Sequence, residues 1–469
     1  MNRSSETVRD LVAELSEELG PGAILTDPAD RWTYGYDNSK RQEMPAAVAL
    51  PDDHQGVVTV VGACSRHGLP LTVRGRGTGT TGAAVPSAGG LVLSTERMDR
   101  IVDIDAPNRV AVVQAGVTNG RLQRAAAEYG FFWPPDPTSA DYCSIGGNLG
   151  CNAAGPRALK YGTPRDNTLG LRAVAGDGRS IRTGCYTTKG VVGYDLTRLL
   201  IGSEGTLAVI SEATLLLTPL PAGIVTARIV YRDMVGAAAA VAAIMAQPCT
   251  PRVLEFMDGS SIGLIREMSE TTLPRAAGAM LLLEVDGTPG AIEDALTAIR
   301  KAASNDSMIE FRQASGEAET ADLWAARKAL SPALRKIAPK KINEDVAVPV
   351  SRMAEFIGGL EELSSSSGIT IVSFGHAGNG NIHVNLLGDP DQPGEQRRME
   401  ACLAEVFSRV LALGGTLSGE HGVGHEKRPF VAMEIEPETL ALMRQIKSQF
   451  DPAGILNPDK SLPDPQSAT

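Results

Sequence analysis

The chain has 469 residues, of which 43% are hydrophobic, and this length predicts two domains or one large elaborated domain. Its net charge is −11, and it has no basic run or aromatic-rich basic patch, which argues against a nucleic acid as a partner. Its six cysteines are scattered without a CxxC pair, which argues against a disulfide framework and an iron–sulfur cluster.

The N-terminus, MNRSSETVRDLVAELSEELG, has the pattern of a charged amphipathic helix rather than that of a signal peptide. The longest apolar run, residues 235–246, is too short to cross a bilayer. We therefore expect a soluble cytoplasmic protein. Peripheral docking at the inner face of the membrane is compatible with this expectation.

A glycine-rich stretch, LTVRGRGTGTTGAAVPSAGGLVLST (71–95), has Gly77, Gly79 and Gly82 at the GxGxxG spacing of a nicotinamide-binding Rossmann turn. That motif requires a helix directly after the loop, and here Pro86 and two further glycines lead straight into the predicted strand LVLST. A nicotinamide site is therefore disfavoured. The backbone N–H groups of such a loop can still bind a pyrophosphate. A glycine-rich hairpin without a ligand is the alternative.

The glycine content and the predicted secondary structure change after TPLPAG (218–223). Residues before this point are dense in glycine, short strands and turns, whereas longer helical patterns alternate with strands such as MLLLEVDG and IVSFGH after it. The predicted helices lie at 235–246, 290–303, 317–338 and 351–367. This change predicts a second domain with an α/β texture that begins near residue 221.

Residues 375–383, GHAGNGNIH, contain two of the six histidines. The dipeptide Asn379-Gly380 favours a two-residue type I′ turn between two predicted strands. Such a turn places His376 directly opposite His383, with both imidazoles on one face and able to share one ion. Two structural histidines that only form hydrogen bonds are the alternative.

Two further stretches, residues 134–163 and 201–221, are rich in glycine and other turn-forming residues, and loops as long as the first are usually functional. Together with VRGRGTGTTGA and the C-terminal FDPAGILNPDK, they strongly resemble flavoproteins of the vanillyl-alcohol oxidase type. The nearer resemblance is to the branch that contains D-lactate dehydrogenase, the glycolate oxidase flavoprotein subunit and D-2-hydroxyglutarate dehydrogenase. It extends from residue 40 to residue 460.

This resemblance implies an α+β protein with a PCMH-type FAD-binding domain over residues 1–221. It implies an α/β cap domain with an antiparallel sheet over residues 222–425, which holds the substrate and a metal, and a segment, 426–469, that returns to the FAD domain. The residues that it assigns to FAD are Arg74, Gly75, Arg76, Gly77, Thr78, Gly79, Thr80, Pro137, Thr138, Ser144, Gly147, Asn148, Asn152, Gly155, Gly205, Ile210 and Asn457.

Some relatives tether FAD covalently through a histidine in the first glycine loop, and this chain has none there. The resemblance therefore implies noncovalent FAD. Linkage through Cys143 or Cys151 is a remote alternative.

In the same family, a GHxGxGNxH element and a GEHGxG element supply a divalent metal site. The matching residues are His376, His383 and Glu420, and zinc is the expected ion. Two imidazoles and one carboxylate leave positions open for substrate oxygens. His421 is similar to the proposed base of the family, and histidine can accept the hydroxyl proton near neutral pH. A structural role for His421 in its glycine-rich turn is the alternative.

The substrate carboxylate needs a cation. In ETADLWAARKAL, the spacing of Leu323, Arg327 and Leu330 places Arg327 on the apolar stripe of a helix, where it requires an anion. The resemblance assigns the substrate carboxylate to this role, and a structural Asp or Glu is the alternative.

The resemblance assigns further substrate contacts to Ser331, Asn385 and one of two lysines, Lys340 or Lys341, of which we select Lys341. An N-cap before Pro332 is an equal alternative for Ser331.

We therefore expect an FAD-dependent dehydrogenase that oxidises a D-2-hydroxy acid to the 2-oxo acid by hydride transfer to flavin N5. D-lactate is the first choice, followed by D-2-hydroxyglutarate and glycolate. Electrons would leave to a quinone, a cytochrome or an electron-transferring flavoprotein, and a homodimer is compatible with the sequence. The alternatives are a redox-neutral enzyme of the alkylglycerone phosphate synthase type, against which the two histidine motifs count, and a noncatalytic flavin subunit of a larger complex.

Overall fold

The computed structural model describes residues 5–87, 89–268 and 273–464. The chain forms two compact units. The first consists of Met1–Ala154, Gly162–Leu220 and Glu420–Thr469, and the second of Gly155–Tyr161 and Pro221–Gly419. Compared with the ranges expected from the sequence, residues 155–161 lie in the second unit and residues 420–425 in the first.

The first unit begins with a small sheet covered by helices. Its elements are α1 (Ser5–Leu19), β1 (Ile24–Leu25), α2 (Pro28–Trp32), β2 (Ala47–Ala49), α3 (His54–His67), β3 (Leu71–Arg74) and β4 (Leu91–Ser94). The strand order is β1-β2-β4-β3, with β2, β4 and β3 parallel. The predicted N-terminal helix is confirmed as α1, and residues 1–4 of it lie outside the described residues. Between β3 and β4 the described residues contain no helix, as the glycine pattern predicted.

A second sheet of the first unit is antiparallel. The next elements along the chain are β5 (Ile101–Asp105), β6 (Val110–Gln114), α4 (Asn119–Ala127), β7 (Phe131–Phe132), α5 (Ile145–Cys151), α6 (Ala158–Tyr161), β8 (Thr168–Ala175), β9 (Ser180–Gly184), α7 (Leu196–Leu200), β10 (Ala208–Leu216) and β11 (Thr218–Pro219). Five strands pair in the order β5-β6-β10-β8-β9, and β7 pairs with β11. The helix α6 belongs to the second unit.

The second unit is built on one seven-stranded sheet. Its other elements are β12 (Gly223–Tyr231), α8 (Met234–Ala246), β13 (Val253–Met257), α9 (Gly259–Met268), β14 (Ala279–Gly287), α10 (Pro289–Ala303), β15 (Met308–Gln313), α11 (Glu317–Ile337), β16 (Lys340–Ala347), α12 (Met353–Ser367), β17 (Thr370–His376), β18 (Asn381–Gly388) and α13 (Glu395–Ala412). The order β15-β12-β14-β13-β17-β18-β16 is antiparallel throughout. The four helices predicted in this region are confirmed as α8, α10, α11 and α12.

Helices cover both faces of this sheet, since β14 and β18 are buried along almost their whole length. The helices α9 and α11 pack on one face, where Leu323 and Leu330 join a core with Met257, Leu282 and Phe374. The helices α8, α10, α12 and α13 pack against one another on the other face. This arrangement explains the mixture of apolar strands and amphipathic helices in the sequence.

The helix α11 is fastened to the sheet by a stripe of polar side chains. Trp324, Arg327 and Ser331 are three and four residues apart and therefore lie on one helix face. Each is hydrogen-bonded to a different strand. Trp324 donates to Glu284 of β14 at 2.6 Å, and Arg327 donates to Glu255 of β13 at 2.9 Å. Ser331 accepts from Lys341 of β16 at 2.8 Å. The stripe fixes both the rotation and the axial position of the helix above the sheet.

A segment from the first half of the chain completes the second unit. Lys160 and Tyr161, at the end of α6, both bind the carboxylate of Asp286 on β14. That side chain is fully buried. Gly378 also packs closely against Leu159 of α6. These contacts are the reason why residues 155–161 belong to the second unit.

The chain then returns to the first unit with two helices, α14 (Val431–Glu434) and α15 (Pro437–Phe450). Leu456 pairs with Leu71 of β3, and both are buried in the core beneath α3. Within the described residues, no helix combines the length and the apolar character needed to cross a bilayer.

Candidate active site

The glycine loop that follows β3 closes tightly on its neighbours. The φ angle of Gly77 is +65°, in the left-handed region, and a methyl group at this position would overlap the guanidinium of Arg74. A methyl group at Gly75 would overlap the hydroxyl of Ser144. Arg74 is buried beneath the loop and donates to the carbonyl of Tyr36 at 2.6 Å. Glycine is therefore the residue that fits at these two positions, where the loop packs directly against Arg74 and Ser144.

Asn457 joins three of the segments that were assigned to FAD. Its Oδ1 accepts from the backbone N–H of Val73 at 3.0 Å, and its Nδ2 donates to the carbonyl of Glu204. Gly205 follows with a φ of +70°, and a methyl group there would lie 3.1 Å from Asn457 and 3.2 Å from Val73. The end of β3, the turn before β10 and the C-terminal segment thus meet at one amide side chain.

The other assigned FAD residues serve as caps, turns and loop positions. Ser144 caps α5 by accepting from Gly147 N at 3.2 Å, and Asn152 ends α5 in the left-handed conformation. Asn148 and Ile210 are buried. The residues Arg76, Thr78, Gly79, Thr80, Pro137 and Thr138 lie in loops, and Gly155 lies in the second unit with a φ of +79°.

The two histidines of the hairpin converge, but not by the predicted register. In the structure His376 pairs with Asn381, and His383 pairs with Phe374. The two-residue turn is therefore wrong: a 3₁₀ turn over Ala377–Asn379, closed by Gly380 with a φ of +67°, makes the connection four residues long. The register moves by two positions, which preserves the face of each side chain.

His376 and His383, two of the three expected metal ligands, lie close together, and the centroids of their rings are 5.2 Å apart. Both histidines are buried, and Glu420 directly follows Gly419, the last residue of the second unit. Gly419 N donates to the carbonyl of Asp345 at 3.0 Å, which fixes this part of the chain beside β16. Two imidazoles and one carboxylate suit Zn²⁺ with open coordination positions.

A buried carboxylate that the sequence analysis missed links this group to Arg327. Glu255 is 1% exposed, and its Oε1 binds Nδ1 of His376. Its Oε2 accepts from Nε of Arg327 at 2.9 Å and from Nη2 at 2.7 Å. Burial by itself raises the pKa of Glu255, but its contacts with His376 and Arg327 outweigh burial and hold this pKa below its usual value. The available signal was one charged residue inside the apolar strand VLEFM.

Arg327 thus has the structural anion that the sequence left open as an alternative. Its guanidinium also lies over the ring of Phe374, with Cζ 4.6 Å from the ring centroid. Phe374 in turn contacts His383, the centroids of the two rings being 5.8 Å apart. The pair with Glu255 occupies Nε and Nη2 of Arg327, so Nη1 is the nitrogen that is not committed to that carboxylate.

The assigned substrate contacts lie on the same face of the sheet. Nζ of Lys341 donates to Oγ of Ser331 at 2.8 Å, whereas Lys340 donates to Gln396 of α13. Ser331 lies inside α11, which continues through Pro332, so the N-cap alternative for Ser331 is wrong. Asn385 is fully buried and donates to two backbone carbonyls of the sheet.

His421 lies in the first unit, in a turn that another unexpected carboxylate organises. Glu204 is buried and accepts the backbone N–H groups of Val423 and Gly424 at 3.0 and 3.1 Å. Burial raises the pKa of Glu204, although these hydrogen bonds oppose the shift. Gly422 has a φ of +86°, and a methyl group there would overlap Glu204. The position of His421 therefore depends on this carboxylate.

The two units and the glycine loop together define an FAD-linked oxidoreductase. Residues 45–184 match the family described as FAD binding domain, and residues 220–461 match the one described as FAD linked oxidases, C-terminal domain. The chain belongs to the family of FAD-linked oxidases.

Curated relatives agree with this assignment, and a solved structure agrees with the fold. The chain is 38% identical to the glycolate oxidase subunit GlcD of Bacillus subtilis over 453 residues, which cover 96% of each chain. It is 36% identical to a D-lactate dehydrogenase of Archaeoglobus fulgidus over 95% of this chain and 98% of that one. The solved structure of p-cresol methylhydroxylase with substrate bound matches with a TM-score of 0.81 at 17% identity, over 98% of each chain. The predicted α+β class and PCMH-type fold are therefore confirmed.

Proposed function

We propose that this protein oxidises a D-2-hydroxy acid to the corresponding 2-oxo acid, with D-lactate as the first candidate and D-2-hydroxyglutarate and glycolate next. The observation that carries the proposal is the convergence of His376 and His383, whose ring centroids are 5.2 Å apart on one face of the seven-stranded sheet. Arg327 supports it from the same face of the sheet, through its contact with Phe374. Relatives named as a glycolate oxidase subunit and as a D-lactate dehydrogenase support the same class of substrate.

The chain would bind the substrate at its two oxygen-bearing groups. Nη1 of Arg327 and Nζ of Lys341 offer positive charge to the substrate carboxylate, and charge-assisted bonds of this kind are stronger than neutral ones. Ser331 orients Lys341 through its hydroxyl. Asn385, held by two backbone carbonyls, limits the space beside His383.

The chain would also take up the proton. His421 accepts the hydroxyl proton of the substrate as C2 loses its hydride, a role that histidine commonly performs in enzymes. A divalent ion held by His376, His383 and Glu420 would supply Lewis-acid polarisation of the hydroxyl oxygen.

FAD would be bound noncovalently by the glycine loop after β3, the segment around Ser144 and the turn at Gly205. The fit rests on the tight approaches at Gly75 and Gly77, where only glycine leaves room for Ser144 and Arg74. The backbone N–H groups of such a glycine loop can bind a pyrophosphate. When bound, FAD supplies the acceptor for the hydride from C2 at its N5 atom.

The electrons would pass to an external acceptor, because the sequence has no iron–sulfur motif. A quinone, a cytochrome or an electron-transferring flavoprotein each fits this requirement, and the subunit names of some relatives favour a protein partner. A cytoplasmic protein that docks at the inner face of the membrane is consistent with either route.

The decisive experiment is anaerobic mixing of the purified flavoprotein with D- and L-lactate, D- and L-2-hydroxyglutarate, and glycolate. Bleaching of the visible flavin absorbance by D-acids and not by L-acids supports the proposal and ranks the substrates. If no 2-hydroxy acid bleaches the flavin, the proposal fails. A redox-neutral enzyme of the alkylglycerone phosphate synthase type or a noncatalytic flavin subunit then becomes the better interpretation.

A further inference from the structure

We propose that Glu255 is the positioning residue of the substrate site, because its single carboxylate fixes both the metal-binding nitrogen of His376 and the direction of Arg327. This inference rests on the proposed function and extends it to a residue that takes no direct part in binding the substrate.

The two oxygens of Glu255 have separate partners. Glu255 on β13 is the cross-strand partner of His376 on β17, so their side chains project from the same face of the sheet. Oε1 binds Nδ1 of His376, and Oε2 binds Nε and Nη2 of Arg327.

The contact with Oε1 selects one tautomer of His376. An ionised carboxylate can only accept a hydrogen bond, so Nδ1 of His376 must be the donor. The lone pair of the neutral ring then lies on Nε2, which leaves this nitrogen to face a metal ion. Metal-binding histidines commonly donate their other ring nitrogen to a carboxylate in this way.

The contact with Oε2 places the cation relative to the histidines. Arg327 is held between Glu255 and the ring of Phe374, and Phe374 contacts His383. The rings of His376 and His383 in turn have their centroids 5.2 Å apart. Five side chains therefore form a closed circuit: Glu255, Arg327, Phe374, His383 and His376.

This circuit predicts a linked defect. The group that receives the substrate carboxylate and the group that receives its hydroxyl are oriented by the same residue. A change at Glu255 should therefore lower the affinity for the metal and the affinity for the substrate together. A general loss of core packing would lower the stability of the protein instead of these two affinities in particular.

The matched control is Glu284. It lies on the adjacent strand β14, it is also buried beneath α11, and it also binds an arginine, since Nη1 of Arg252 lies 2.8 Å from it. Its partner on the helix is Trp324. Glu284 contacts no histidine among the described residues, so Glu284→Gln measures the general cost of neutralising a buried carboxylate at this place.

The test compares Glu255→Gln, Glu255→Asp and Glu284→Gln as FAD-loaded proteins. Zinc affinity is measured by competition with a chromophoric chelator, and KM and kcat are measured with the D-acid that bleaches the wild-type flavin. A glutamine can present its one oxygen to Arg327 only by turning its NH₂ group towards Nδ1 of His376. The ring must then carry its proton on Nε2, and this nitrogen can no longer bind the ion.

We expect Glu255→Gln to bind zinc about 10- to 100-fold more weakly than the wild type, the usual effect of losing such a carboxylate, and to raise KM as well. Glu255→Asp keeps the charge but is shorter, so it should restore part of the zinc affinity. Glu284→Gln should keep wild-type zinc affinity and KM. The aspartate variant decides the question if the glutamine variant does not fold.

The inference is overturned if Glu255→Gln, or Glu255→Asp in its place, binds zinc and substrate as the wild type does, or if Glu284→Gln shows the same losses. The proposed function stands in both cases as long as the wild type oxidises a D-2-hydroxy acid. A wild type that binds zinc but oxidises no such acid rejects the proposed function instead, and the zinc titration then still tests the tautomer.

Discussion

The imidazole rings of His376 and His383 approach to a centroid distance of 5.2 Å although the two residues are not opposite each other in their hairpin. They are diagonal neighbours, and their rings meet edge to face at 83°. In this arrangement the two rings are not stacked, so a nitrogen of each can be directed towards one point. The chelating group thus depends on the four-residue connection as well as on the strands.

We expect His376→Ala and His383→Ala each to lose bound divalent metal and turnover while retaining FAD, since the flavin segments lie elsewhere in the chain. Elemental analysis of the purified variants and their visible spectra test this. His67→Ala is the control, because His67 binds only Glu14 among the described groups that contact its ring. Active wild-type protein without any metal would contradict the ligand assignment.

Replacing His421 should separate binding from chemistry. We expect His421→Ala to slow flavin reduction by about 10²- to 10⁴-fold, the contribution of a positioned general base, with the substrate still bound. Stopped-flow measurement with substrate deuterated at C2 should show a primary isotope effect in the wild type. His425→Ala, in the same turn, is the comparison. Flavin reduction at the wild-type rate in His421→Ala would leave His421 with a structural role.

Substitution in the glycine loop should weaken the binding of FAD. Gly77→Ala places a methyl group against Arg74 and also imposes a left-handed conformation that costs about 1–2 kcal/mol. Gly22→Ala has a comparable φ of +74° but no atom within 4 Å, so it isolates the conformational cost. We expect the flavin-to-protein ratio after dialysis to fall in Gly77→Ala only. An equal loss in both variants would contradict the tight approach at Arg74.

Stability should depend on pH through Lys460. Burial lowers the pKa of Lys460 to about 7 from its usual 10.5, although Glu204, Asp37 and Asp459 oppose the shift. Above pH 7 the unfolded chain binds more protons at this lysine than the folded chain, so the free energy of unfolding rises with pH, by up to about 1.4 kcal/mol per unit. Below pH 7 both states are protonated and this dependence is absent.

Urea denaturation between pH 7 and 9 measures this effect. The free energy of unfolding should rise more steeply with pH in the wild type than in Lys460→Met, whose side chain does not titrate. Equal slopes in the two proteins would show that Lys460 keeps an ordinary pKa in the folded state.

The flavin should be released by acid. The loop over residues 74–82 contains no histidine, cysteine or tyrosine for a covalent bond. Burial also raises the pKa of Cys143, which keeps its thiol neutral and a poor nucleophile. We expect precipitation with trichloroacetic acid to leave FAD in the supernatant. Yellow colour in the pellet of the wild type, and its loss in Cys143→Ala, would instead indicate a thioether.

Local sequence patterns predicted much of this structure. The spacing of Leu323, Arg327 and Leu330 placed Arg327 on the buried face of α11, because helical periodicity is a local property. The alternation of side chains along a strand similarly predicted that His376 and His383 lie on one face of the sheet. The register itself was wrong, because Asn-Gly favours a short turn whereas the chain forms a 3₁₀ turn that ends at Gly380.

The residues that the sequence did not reveal are those with distant partners. Glu255 binds His376 across 121 positions, and Glu204 binds Val423 across 219. Neither contact can be predicted from the sequence pattern near either residue, since each depends on which strands or turns become neighbours in space. A charged residue in an apolar strand indicates only that some partner exists.

The contact of Asp286 with Lys160 and Tyr161 limits how the gene can be divided. A fragment that encodes residues 221–419 alone would contain every strand of the seven-stranded sheet, yet it would leave the buried carboxylate of Asp286 without these two donors. Of its cations only Arg252, 3.7 Å from the carboxylate, would remain, and removing a partner of a buried charge is destabilising. Transferring this unit to another protein, or exchanging it between relatives, therefore requires two separate segments of the chain to be moved together. The shorter of the two is seven residues long.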